Sequence, residues 1–166
     1  LAAPGCGDEQ GDSSAGAGAA TGVGAGTGDL APDFELEKVC GGRLRLADLR
    51  GQAVIVEFWD TWCPPCRRAL PHLQELHDEY GDQLTVVGVA FGRDGRETVA
   101  RFLSERNLTF PCVFIDDRYE TARAYGGVQS LPTTFLIDRE GVIREIWVGG
   151  HEKQVYATAV QHLLGG

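Results

Sequence analysis

Seven consecutive residues, Ala53-Val54-Ile55-Val56-Glu57-Phe58-Trp59, run almost without polar relief into Trp62-Cys63-Pro64-Pro65-Cys66, and a helical pattern follows at once. A β-branched and aromatic run of this length fits a strand covered on both faces. From Arg67 to Tyr80, Leu70, Leu73, Leu76 and Tyr80 recur at helical spacing, and Gly81 closes the segment. Two cysteines at i and i+3 therefore stand where a buried strand gives way to a helix. There the helix dipole and unpaired backbone N–H groups favour a thiolate at Cys63. Cys66 falls one turn on, on the same side, within disulfide reach. Prolines 64 and 65 suit a first helical turn, where a missing N–H costs nothing.

The remaining pattern supports one α/β domain. Residues 33–36 and 43–46 alternate polar and apolar around Gly41-Gly42, which predicts a β-hairpin, and residues 47–50 form a short helical turn. Leu84–Phe91 is a second buried strand. Glu97–Arg106 is a helix with Val99, Phe102 and Leu103 inward, and Cys112–Ile115 is a short strand. Tyr119–Tyr125 is a short helix. Residues 133–137 and 142–148 flank Arg139-Glu140-Gly141 as a hairpin, and Val155–Leu164 is a closing helix. Strands alternating with helices predict a central sheet flanked by helices, and the last hairpin requires an antiparallel pair, so the sheet is mixed.

Residues 1–28 differ in kind. Gly and Ala fill 16 of these positions, with no aromatic residue, Lys or Arg. Such a segment cannot bury enough surface to offset its ordering entropy, so it is expected to be a flexible tether, with the folded domain spanning 29–166. Three of the 24 acids and none of the 15 bases lie in the tether, leaving 21 acids against 15 bases in the domain. That balance argues against nucleic acid as a partner. No apolar run is long enough to span a bilayer.

Five cysteines leave an odd one, and Cys6 in the tether is the natural candidate. Cys40 and Cys112 either pair with each other in an oxidising compartment or stand as separate thiols; the sequence fixes no distance between them. For Cys63 and Cys66, half a zinc site or an inert disulfide are the competing readings. Zinc needs a second ligand pair, and a four-residue disulfide loop stabilises little. Glu57 is a carboxylate inside an otherwise apolar strand. Burial raises the pKa of such a group and suits it to take a proton; an edge position reaching solvent is the alternative.

The chain resembles the TlpA/ResA group of thiol–disulfide oxidoreductases within the thioredoxin superfamily (AhpC/TSA–Redoxin-like). The resemblance rests on Ala31-Pro32-Asp33-Phe34, Leu49-Arg50-Gly51, Phe58-Trp59, Trp62-Cys63-Pro64-Pro65-Cys66, Tyr125-Gly126, and Leu131-Pro132-Thr133-Thr134-Phe135-Leu136-Ile137-Asp138 with Gly141. It implies a thioredoxin-like fold with an N-terminal hairpin extension, and disulfide exchange with client proteins, in net reduction, through Cys63 and Cys66. Glu57 matches the buried acid that serves Cys66. Pro71 matches a helix-kinking proline. Leu131-Pro132 matches the cis-proline loop, so Leu131, Pro132 and Thr133, together with Trp62 and Pro64, are the expected client-binding residues. The group also implies an extracytoplasmic site of action, recharging by a membrane electron donor, and cytochrome c maturation as one role.

Leu1-Ala2-Ala3-Pro4-Gly5-Cys6 resembles the end of a lipoprotein signal peptide, which would lipidate Cys6. A monomer with no cofactor and no metal is expected. Ala69 stands where many of the group carry a Glu, which weakens transfer of the cytochrome role. Two other functions share the fold. Peroxiredoxins need a Thr where Asp60 stands and an Arg near Pro132, and copper carriers use a longer Cys-x-x-x-Cys spacing.

Overall fold

The computed structural model describes residues 25–165. The predicted tether lies outside the described residues except for 25–28, and Cys6 lies outside them. Residues 25–28 already bond to the domain, through Ala25 N–H to Ala124 O (3.3 Å) and Gly28 N–H to Ile143 O (2.8 Å).

The fold is thioredoxin-like. In chain order the elements are β1 (Glu35–Glu37), β2 (Arg43–Arg45), a 3-10 turn (Leu46–Leu49), β3 (Ala53–Trp59), α1 (Pro64–Tyr80), β4 (Leu84–Ala90), α2 (Arg96–Glu105), β5 (Cys112–Phe114), α3 (Glu120–Ala124), β6 (Thr133–Ile137), β7 (Ile143–Val148) and α4 (Lys153–Gly165). Each corresponds to an element expected from the sequence, with no end displaced by more than three residues; a second 3-10 turn, Gly81–Gln83, links α1 to β4. Tyr119 is excluded from α3 because it takes a left-handed conformation, φ 55°, at the N-cap.

The central sheet has the order β5-β4-β3-β6-β7. β3, β4 and β5 are parallel. β6 runs antiparallel to β3 as well as to β7, giving two antiparallel pairs where the terminal hairpin required one. β1 and β2 form a separate two-stranded sheet, tied to β5 by a bridge between Lys38 and Val113.

β3 is central and wholly buried. Its alternate residues face opposite layers. Ala53, Ile55 and Trp59 pack with Leu70, Leu73 and Leu76 of α1 and with Val99, Tyr156 and Val160. Val54, Val56 and Phe58 pack with Phe34, Leu46, Tyr125 and Phe135. Each large side chain buried in these layers stabilises the fold by roughly 1.5–3 kcal/mol. By the same alternation Glu57 faces the layer that holds α1 and α4. Lys153 of α4 pairs with Glu75 (2.9 Å) and Glu79 (3.3 Å) of α1.

Gly88 of β4 has no room for a side chain. A Cβ there would lie 2.9 Å from Trp59 Nε1, 3.1 Å from the Phe110 ring and 3.2 Å from Cys112 Sγ. Gly88→Ala should lower the unfolding free energy by about 1–3 kcal/mol, the usual cost of overpacking a filled core. Urea denaturation checks this, and an unchanged midpoint would contradict it.

Candidate active site

α1 begins at Pro64, and Cys63 is its N-cap in extended conformation. The Cys63 sulfur accepts a hydrogen bond from the Cys66 backbone N–H (3.3 Å). A first-turn donor of α1 is thus already aimed at that sulfur, the arrangement that favours charge there. Cys63 and Cys66 form a disulfide, with Cα atoms 5.3 Å apart. Cys63 keeps 2% of its surface exposed and Cys66 none.

The Leu131–Pro132 bond is cis, the geometry the resemblance implied. The Cys63 sulfur lies 3.5 Å from the Leu131 carbonyl oxygen. Leu131 is half-buried, while Pro132 and Thr133 are buried. The Thr133 hydroxyl donates to Ser130 O (2.6 Å), so it braces the loop. Pro64 is exposed at the start of α1. Gly149 N–H donates to Pro132 O (2.8 Å), and a Cβ on Gly150 would stand 2.9 Å from Pro65 O. The loop after β7 therefore packs against both the cis-proline loop and the start of α1. α1 runs through Pro71 as one helix.

Trp62 is 46% exposed with the Arg93 guanidinium 5.4 Å from its ring centre, so it is a surface residue; the core tryptophan is Trp59. Arg93 is placed by Asp60, a buried carboxylate that accepts from Thr61 N–H (2.8 Å) and Arg93 N–H (3.1 Å). In the sequence Asp60 speaks only against a peroxidase, and its role in holding this loop goes unread there. An acid directly after a core strand was the available signal.

Glu57 is fully buried. Burial pushes its carboxyl up to about 8, against the hydrogen bond it accepts from the Thr134 hydroxyl (2.5 Å). Its other oxygen, Oε1, has no hydrogen-bond partner, and among the described residues no Lys or Arg is buried. The edge position reaching solvent is thereby overturned.

Cys40 is exposed at the first hairpin turn, and Cys112 is a buried thiol. The backbones approach each other where Val39 N–H donates to Cys112 O (2.9 Å). Burial pushes the Cys112 thiol up to about 12, so it is no nucleophile near neutral pH.

A redox pair at a strand–helix junction, faced by a cis-proline loop on a thioredoxin-like sheet, defines a thiol–disulfide oxidoreductase. Residues 27–146 match the AhpC/TSA family. The chain is 41% identical over 128 residues to the thiol-disulfide oxidoreductase ResA of Geobacillus thermodenitrificans, covering 76% of this chain and 72% of that protein. It is 40% identical over 129 residues to the thioredoxin-like protein YneN of Bacillus subtilis, covering 76% and 74%. The crystal structure of a Chlorobium tepidum protein, assigned there as a thiol:disulfide interchange protein DsbE, is similar with a TM-score of 0.77 at 33% identity, over 85% of this chain and 99% of that one. The chain belongs to the AhpC/TSA family, among its ResA-like thiol–disulfide oxidoreductases.

Proposed function

We propose that this protein reduces disulfides of client proteins outside the cytoplasm, with Cys63 attacking, Cys66 resolving and Glu57 handling the proton. The observation that carries this reading is the position of Cys63: it caps α1, accepts the Cys66 N–H, and stands 3.5 Å from the Leu131 carbonyl. A client strand laid along Leu131 would bring its own sulfur to the Cys63 thiolate. Trp62, Pro64, Pro132 and Thr133 are the further residues assigned to client binding. A groove of about 360 Å³, lined by Ser130, Thr133, Phe135 and Val148, borders the cis-proline loop.

In the first step the Cys63 thiolate bonds to one client sulfur and the other client sulfur leaves as a thiolate. Cys66 then loses its proton to Glu57 in its ionised form, a minority near neutral pH that grows as pH approaches 8, and attacks Cys63, which releases the second client thiolate. Two electrons pass to the client, and the protein is left with the Cys63–Cys66 disulfide. An electron donor in the membrane is needed to recharge it. Cytochrome c maturation is one setting for such a reductant, although Ala69 offers no carboxylate beside the pair. The segment before residue 25 acts as a tether, anchored through a lipidated Cys6, and the domain works as a monomer. Asp60 supports this reading over a peroxidase, since its carboxylate is committed to loop N–H groups.

A Cys66→Ser variant, carried in a bacterium as the full chain, tests the reading. It should accumulate on clients as mixed disulfides that reductant releases, and those clients should be extracytoplasmic. The reduction potential of the intact pair should fall near the thioredoxin value of about −270 mV and away from the DsbA value of about −120 mV. A reactive Cys63 that traps nothing, or a potential at the oxidising end, would overturn it.

A further inference from the structure

The loops after β3 and β4 start level, because Trp59 and Ala90 pair at the ends of two parallel strands. Phe91 N–H donates to Trp59 O (3.0 Å), which keeps the loops together at their base. Three residues beyond that pair, the first loop presents Trp62 and the second presents Arg93. The buried carboxylate of Asp60 fixes both loops, through Thr61 N–H and Arg93 N–H. Both side chains are exposed, yet the Arg93 guanidinium stays against the indole, 5.4 Å from its ring centre. β4 and β6 flank β3 on opposite sides, so Arg93 stands across the cysteine pair from the Leu131 loop.

Arg96, three residues on, also lies over a ring, that of Phe114 (4.3 Å), but it is paired with Glu37 (2.8 Å). Arg93 has the ring and, among the described residues, no ion pair. A planar guanidinium held on a ring keeps N–H groups free for a carboxylate, and it loses little freedom on binding one. We propose that Arg93, carried on Trp62, is a specificity-determining residue that pairs with an acidic side chain of the client beside the attacked cysteine. This rests on the client exchange proposed above and adds a property of the clients.

The recognition is local. The domain carries 21 acids against 15 bases, so its overall field does not draw an acidic client in, and the preference comes from contact at Arg93 itself. The adjacent acid, Asp94, accepts from the Thr61 hydroxyl (3.4 Å) and leaves Arg93 unpaired. An exposed ion pair reaches about fivefold in affinity at its upper end. A guanidinium already fixed by the ring belongs at that end, because less side-chain freedom is lost on pairing.

The test takes the reduced full chain and measures the second-order rate constant of its attack on short peptides closed by one disulfide. The peptides differ only in carrying Glu, Gln or Lys at each position flanking the cysteines in turn. At one or more positions the Glu peptide should react about fivefold faster than the Lys peptide at low salt. The gap should close at about 1 M salt, where charges are screened within about 3 Å. Arg93→Gln should bring the three peptides to one rate, and Arg93→Glu should put the Lys peptide ahead. A change in the acidity of Cys63 scales all three alike, so the ratio reads recognition alone. Equal rates with the parent chain at every position, a Glu preference that survives Arg93→Gln, or a variant that slows all three peptides by one factor would overturn the role of Arg93 and leave the exchange reading standing. If Cys63 is alkylated normally yet attacks none of the peptides, the exchange reading itself fails, and this recognition with it.

Discussion

Between pH 5 and pH 8.5 the oxidised protein should lose roughly 4 kcal/mol of unfolding free energy, and Glu57→Gln should remove that loss. The sign follows from proton binding. The folded chain holds the Glu57 proton up to about pH 8, whereas the ordinary value of 4.5 applies once the chain unfolds. Across that window the unfolded state binds fewer protons, so stability is full below about 4.5 and declines as pH rises through 8. Each tenfold difference in proton affinity between the two states is worth about 1.4 kcal/mol.

Other groups act elsewhere or oppositely. Burial lowers His77, which makes stability rise with pH below about 6.5, against the Glu57 trend. Asp116 and Asp138 are held low by hydrogen bonds that outweigh their burial, and they act only at more acidic pH. Cys112, raised to about 12, erodes stability only above about pH 9. Subtracting the variant's curve from the parent's isolates Glu57. The unpartnered amide hydrogens of Gln cost about 1–3 kcal/mol, but at every pH alike. Urea denaturation at five pH values gives the two curves; parallel curves would contradict the raised proton affinity of the buried acid.

The same residue shows what the sequence could and could not disclose. An acid inside a seven-residue apolar strand is visible as an anomaly, because strand alternation puts it on one definite face. The strand–CxxC–helix junction is equally local, since the strand end, the cap and the one-turn spacing all lie between Trp59 and Cys66. The elements were legible because each apolar run carries its own period and its own glycine or proline stop.

What could not be read is order in space. Nothing local says that β6 inserts between β3 and β7, so the pairing of Glu57 with Thr134, 77 positions on, was out of reach. Arg93 reaches the Trp62 ring only because the buried Asp60 holds its loop by backbone N–H groups. Sequence patterns report which face is buried. They do not report what a buried polar atom touches.

Replacing Cys63 by Ser should abolish turnover by at least about a thousandfold, while Cys66→Ser should keep the first attack and lose only the second. Both cysteines are nearly sealed in the disulfide state, so exposure alone does not separate them. Their surroundings do. Cys63 caps a 17-residue helix and accepts a first-turn N–H, which stabilises negative charge on its sulfur. Cys66 lies inside that helix among Ala69, Leu70 and the core, with a buried acid as its proposed base, so its thiol is expected to ionise only as the mixed disulfide is resolved. A serine at 63 keeps the cap but offers no thiolate, and removal of an enzyme's nucleophile typically costs far more than about a thousandfold. Alkylation of the reduced protein, mapped by mass spectrometry, should label Cys63 well before Cys66, with a midpoint below the roughly 8.5 of a free cysteine. Preferential labelling of Cys66 would reverse the two roles and detach the Leu131 carbonyl from the reaction.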